Sequence, residues 1–146
     1  GSYRTALVAT DFSAFARSGV QAAVDLVPEG TIHLTHVYHL PFPGFLSATE
    51  SEEQIRRAHR IELERLGPAA AGPAGGAAVR ERTRFELHLI EGEVRAALRR
   101  QVASLDADLL VLGTQGSKGV AQAWLGSVAE EFLVRPPCDV LVVKRW

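Results

Sequence analysis

At 146 residues, with 47% hydrophobic and 23% charged side chains, the chain can bury one self-sufficient core and has ordinary globular composition. A formal net charge of -1 removes any electrostatic preference for nucleic acid or anionic lipid, so an anionic ligand has to be held by local geometry. One cysteine excludes an internal disulfide and no apolar run approaches the roughly 20 residues of a membrane span, so the expectation is a soluble, cytoplasmic protein. Gly1-Ser2 reads as a scar of tag removal and is set aside, leaving residues 3–146 as one domain.

In chain order, TALVAT (Thr5 to Thr10) reads as a strand ending at Asp11. Ser13 can cap a following helix in which Val20, Ala23, Val24 and Val27 share a face. Pro28-Glu29-Gly30 stops that helix, and TIHLTHVY is a second strand with Ile32 and Leu34 on one face. Pro41 and Pro43 make HLPFPGF a loop. Ser51 and Gln54 have capping-box spacing for a lightly buried helix that reaches Leu66 and stops at Gly67-Pro68. The Gly, Pro and Ala content of residues 67–78 predicts a flexible loop.

Phe85, Leu87 and Leu89 alternate in a third strand, and Val94, Ala97, Leu98, Val102 and Leu105 give a clean helical stripe. DLLVLG (Asp108 to Gly113) and CDVLVV (Cys138 to Val143) are continuous apolar runs, as expected of strands covered on both faces. Between them a short helix begins at Ser127 and stops before Pro136-Pro137. The pattern predicts a doubly wound, mostly parallel five-stranded sheet of order 3-2-1-4-5 with helices on both faces, a Rossmann-like architecture. Ligands of such sheets sit beyond the carboxyl ends of the strands where the order reverses, here between Asp11 and Gly113.

The segment GTQGSKGVAQAWLGSV, residues 113–128, occupies that position. Gly113, Gly116, Gly126 and Ser127 follow the spacing Gly-x2-Gly-x9-Gly-Ser, with Gly119 in addition. Glycines permit positive φ and close approach of oxygen atoms, while Gly126-Ser127-Val128 presents free N–H groups at a helix start. Lys118 adds one cation, or is a solvated side chain. The spacing is neither the Walker pattern nor Gly-x-Gly-x-x-Gly, so on residues alone the segment is either a surface loop or a phosphate cradle.

Together, VATDFS, Gly92, ADLLVLGTQG, WLGSVAEEFL and PPCDVLVV resemble the universal stress protein family over nearly the whole chain. Gly113, Gly116, Gly126 and Ser127 fill the pattern of its ATP-binding branch. The resemblance implies an adenosine contact from the Thr10-Asp11 end of strand 1, adenine read by the backbone around Val37, and phosphates met by Ser127 and Val128. The candidate site is completed by Leu112, Gln115 and Lys118. Related chains often carry a basic residue, histidine or serine at Gln115, so AMP or ADP is expected to be held comparably with ATP, with or without Mg2+. No acidic pair or catalytic lysine is placed for phosphoryl transfer, so the expectation is nucleotide-dependent partner interaction with slow or no hydrolysis. The alternative is a nucleotide-free member of the family acting as a dimeric interaction module.

Other constellations carry less. His33, His36 and His39 are spaced three apart, but alternation along a strand turns His36 away from the other two, against a shared metal. Cys138 reads as a small buried hydrophobe, and Ser127 lacks the flanks of a nucleophile elbow. Trp124 reads as a loop anchor. Arg56, Arg57, Arg60 and Arg65 alternate with glutamates as a solvated, salt-bridged face. A phosphorelay receiver would need an acidic cluster after strand 1, where Asp11 stands alone, and an aspartate after strand 3, where Ile90-Glu91-Gly92 follows. The last strand has only Lys144, Arg145 and Trp146 after it in this sequence, so an uncovered apolar edge at 138–144 predicts a symmetric homodimer. Membrane and nucleic-acid partners are not expected.

Overall fold

A pleated strand turns successive side chains to opposite faces, so strands that are apolar at consecutive positions need cover on both sides. The computed structural model, which describes residues 3–10, 16–38, 48–71, 83–113 and 127–143, has that form. Its elements in order are β1 (Thr5–Ala9), α1 (Ala16–Leu26), β2 (Thr31–Tyr38), α2 (Ala48–Ala71), β3 (Arg84–Glu91), α3 (Val94–Leu105), β4 (Leu109–Gly113), α4 (Ser127–Val134) and β5 (Asp139–Val143). The sheet runs β3-β2-β1-β4-β5, and its four pairings are parallel.

Two apolar layers follow from the alternation. Ala6, Val8, Ile32, Leu34, Leu109 and Val111 pack with Val20, Ala23, Val24 and Val27 of α1 and Leu63 of α2. Leu7, Leu110 and Leu112, on the reverse face, pack with Leu98 and Val102 of α3 and Ala129 and Phe132 of α4. Among the described residues no helix is long and apolar enough to cross a membrane.

The amino ends of the strands are tied by Asp108, whose carboxylate accepts from the N–H groups of Arg4 and Thr5 at 3.0 Å each. Its own N–H donates to the Thr5 carbonyl at 2.9 Å. Asp106 closes α3 in the left-handed region, φ 52, a conformation that aspartate tolerates better than most residues. The expected helix boundaries shift in one place. α2 starts at Ala48, ahead of Ser51, and continues through Gly67-Pro68 to Ala71, so 67–71 are helical and residues 72–78 of the expected loop lie outside the described residues. Proline removes one N–H donor without ending the helix, and Ala69, Ala70 and Ala71 after it are the best helix formers. Ser13 and the loop around Pro41 and Pro43 also lie outside the described residues.

Gly30 is required by space. A Cβ there would lie 2.0 Å from the Arg4 carbonyl oxygen and 2.5 Å from a Val27 methyl, where α1 hands over to β2. Gly30→Ala should therefore lower stability by about 1–3 kcal/mol, because backbone must move. Urea unfolding should show a lower midpoint at unchanged slope, and an unchanged midpoint would contradict the packing at this turn.

Candidate functional site

The order reversal falls at β1. Ala6, Leu7 and Val8 pair with Leu109, Leu110 and Val111, and extending that register by two residues sets Thr10 level with Gly113. The chain leaves β1 toward α1 on one face and leaves β4 toward α4 on the other. A crevice between oppositely directed connections is where such sheets hold ligands.

Thr10 is pinned on both sides of its peptide. Its N–H donates to the Thr35 carbonyl at 2.9 Å, and its carbonyl accepts from His36 Nδ1 at 2.8 Å, which places the His36 proton on that nitrogen. The His36 ring lies 4.4 Å from that of His59 on α2 and 6.5 Å from that of Tyr38. Arg56 donates to the Tyr38 hydroxyl and lies over its ring, so Arg56 leaves the solvated face expected of it. Arg57, Arg60 and Arg65 are exposed, and Arg65 makes a 3.9 Å pair with Glu62.

On the other face, Val37, Leu112 and Val128 pack into one apolar cluster with Leu98 and Phe132. The start of α4 thus packs on the same face of the sheet as the ends of β2 and β4. Arg95 in the first turn of α3 donates to Ser127 Oγ at 2.8 Å. Its guanidinium also reaches Glu93 at 3.2 Å and Glu131 at 3.5 Å, and Arg99 shares Glu131 at 3.5 Å. The Arg99 guanidinium carbon lies over the Phe132 ring, 4.6 Å from its centroid. Sequence reasoning missed Arg95, because nothing in its local pattern signals proximity to a helix start 32 residues away. The one accessible clue was that the third and fourth helices cover the same face.

Of the residues expected in the site, Thr10, Val37, Leu112, Gly113, Ser127 and Val128 are placed as above, with Thr10 and Leu112 buried and Gly113 and Ser127 exposed. Asp11, Gln115, Gly116, Lys118 and Gly126 lie outside the described residues, as do Trp124 and His39. Cys138 is half-buried, lies just before β5 and donates to the Asp139 carbonyl at 3.4 Å. Burial, with Asp139 and Asp108 nearby, pushes its thiol up, away from reactivity.

His33 and His36 do occupy opposite faces. His33, however, meets β3: its Nδ1 lies 2.9 Å from His88 Nε2 and 3.2 Å from Glu86 Oε2. Burial holds both imidazoles below the ordinary histidine value, with Glu86 opposing in each case. Beside them Thr35 donates to Gln101 of α3 at 2.8 Å, a buried polar contact within an apolar layer.

The universal stress protein family pattern matches residues 2–144. A putative universal stress protein of Staphylococcus haemolyticus is 31% identical over 144 residues, covering 98% of this chain and 86% of that protein. A universal stress protein solved in complex with cAMP is 25% identical, with a TM-score of 0.61 over 99% of this chain and 98% of the other. The universal stress protein of Archaeoglobus fulgidus in complex with dAMP shares the fold at 19% identity, TM-score 0.58, covering 99% of this chain and 100% of its own.

The Arg95 anchor depends on Glu93, the N-cap of α3, whose carboxylate accepts from Ala96 N–H at 2.8 Å. That backbone hydrogen bond, then one from Arg95, lowers the Glu93 pKa below the ordinary glutamate value. A depressed folded-state pKa stabilises fully above the unfolded value and loses that contribution as pH falls through the folded one. Glu93→Gln should lower Tm near neutral pH, and the gap from wild type should close as pH falls through the lowered folded-state value, below the ordinary glutamate range. A gap of equal size at both ends of the range would contradict the assignment.

Proposed function

From the premise that the chain belongs to the universal stress protein family, we propose that it is an adenine-nucleotide-binding regulatory module whose ligand occupies the crevice between the carboxyl ends of β1 and β4. The observation that carries the reading is that Thr10 stands level with Gly113 at the order-reversal point, while Val128 at the start of α4 packs against the apolar cluster that holds Leu112 and a guanidinium meets Ser127. The spacing Gly113, Gly116, Gly126, Ser127 and the cAMP complex of a relative 25% identical support it.

Asp11 and the Thr10 peptide take the adenosine, with the backbone near Val37 at the adenine edge. Leu112 and Val128 wall the crevice. Gly113, Gln115, Gly116, Lys118 and Gly126 are the phosphate contacts of this reading, and main-chain N–H groups at Ser127 and Val128 receive the anion with the helix dipole behind them. The ligand is ATP, with AMP or ADP held comparably, and with or without Mg2+. Arg95 supplies a cation at Ser127: an incoming phosphate competes with Glu93 and Glu131 for it in charge-assisted hydrogen bonds. Binding, with slow or no hydrolysis, then switches partner interaction through the α3–α4 contact.

Calorimetry tests this. Wild type should bind ATP, Gly116→Val should abolish binding with the fold intact, and Arg95→Ala should weaken ATP about tenfold while leaving adenosine unchanged. No heat with any adenylate at millimolar concentration would overturn the nucleotide reading and leave the nucleotide-free interaction module. An unchanged Arg95→Ala would remove the arginine alone.

We also propose a symmetric homodimer through β5. The β3 edge carries exposed Arg84, Glu86 and Glu91, which discourage strand addition, whereas β5 presents half-buried Val140, Leu141, Val142 and Val143. Sedimentation at tens of micromolar should show a dimer, and a soluble monomer would contradict this.

A further inference from the structure

We propose that His33, Glu86 and His88 form a binding site for a divalent transition-metal ion of the zinc class, on the α3 face of the sheet between β2 and β3. Parallel pairing sets His33 opposite Glu86 and Thr35 opposite His88, and alternation then turns His33, Glu86 and His88 to one face. Their ligand atoms all lie within 4.8 Å of one another. The contacts at His33 Nδ1, 2.9 Å to His88 Nε2 and 3.2 Å to Glu86 Oε2, gather the three ligand atoms around that nitrogen.

Tetrahedral zinc with bonds near 2.0–2.1 Å separates its ligand atoms by about 3.3 Å. The two spacings at His33 Nδ1, 2.9 and 3.2 Å, are within a few tenths of an ångström of that value, and the third, from His88 to Glu86, lies within 4.8 Å, where rotation of the exposed Glu86 side chain can close it. At present one imidazole N–H between two nitrogens does the bridging, since two facing nitrogen lone pairs would repel. An ion takes the place of that proton, which moves by exchange with water to the other nitrogen of the same ring, and accepts all three lone pairs. Two neutral imidazoles and one carboxylate leave a net charge of +1 on a zinc centre, with water completing the shell.

Burial is graded across the group. His33 is 5% exposed, while the Glu86 side chain is 60% exposed, giving a fixed floor and an open side for ion entry and a water ligand. The Thr35–Gln101 hydrogen bond stiffens the strand beside it. The donor set of two imidazoles and one carboxylate suits Zn2+, Ni2+ or Cu2+, whereas Mg2+ prefers oxygen ligands and retained water. The site is separate from the nucleotide crevice: His33 precedes Val37 by four residues, about 13 Å along a strand rising roughly 3.3 Å per residue.

The test is calorimetric titration of the full chain, stripped of metal and nucleotide, with Zn2+ and separately with Mg2+. One equivalent of Zn2+ should bind, Mg2+ should not compete, and Co2+ should give the visible absorption of a low-coordinate nitrogen and oxygen site. His88→Gln and Glu86→Gln should each weaken Zn2+ by about tenfold or more, since loss of a direct ligand exceeds loss of a supporting hydrogen bond. His59→Gln, on the opposite face, should bind as wild type. Glu86 is exposed, so Glu86→Gln keeps the test decisive if His88→Gln fails to fold. Absence of stoichiometric Zn2+ binding, or equal affinity in wild type and both ligand variants, would overturn the site.

Discussion

The parallel pairing of β1 with β4 is the constraint on which the rest depends. It places side by side two strands whose connections depart to opposite faces, α1 to one and α4 to the other. Thr10 and Gly113 stand level with each other at the carboxyl ends of these two strands. Apolar layers hold this arrangement from both sides, with Leu7, Leu110 and Leu112 on one face and Ala6, Val8 and Val111 on the other.

A chain with net charge -1 cannot draw an anion by its overall field. For the proposed nucleotide, local dipoles and a directed cation have to do so. Arg95 matches that need, because its position between Glu93, Glu131 and Ser127 is a compromise among exposed pairs, each weak in water. A doubly or triply charged phosphate is a stronger partner than either carboxylate, so exchange can be favourable without large motion. His36 acts on the other wall, holding the Thr10 carbonyl and linking it through His59 to α2. Changes at the crevice thus have two helical surfaces, α2 and α3–α4, through which to reach a partner.

Much of the architecture was legible because it follows from period and cover. Continuous apolar runs identified the central strands, and the stripe from Val94 to Leu105 identified α3. The bounds of α2 were not, since Ser51 and Gly67-Pro68 are local signals and the adjoining alanines carry the helix past them. In the site, strand ends and the Ser127 helix start were readable from spacing. Arg95 was not, because it arrives from another crossover, and neither was His88, because single-strand alternation separates His33 from His36 without revealing what the neighbouring strand adds. Cross-strand register supplies that, and register emerges only when the sheet is assembled.

The central claim is that main-chain N–H groups at the mouth between β1 and β4 grip the anion. Amide chemical shifts recorded during titration with ATP and with adenosine address it directly. ATP should move the amides of Gly113, Ser127 and Val128, while adenosine moves those near Thr10 and Val37 and leaves Ser127 in place. Saturation with ATP that leaves Gly113, Ser127 and Val128 unshifted would contradict the account.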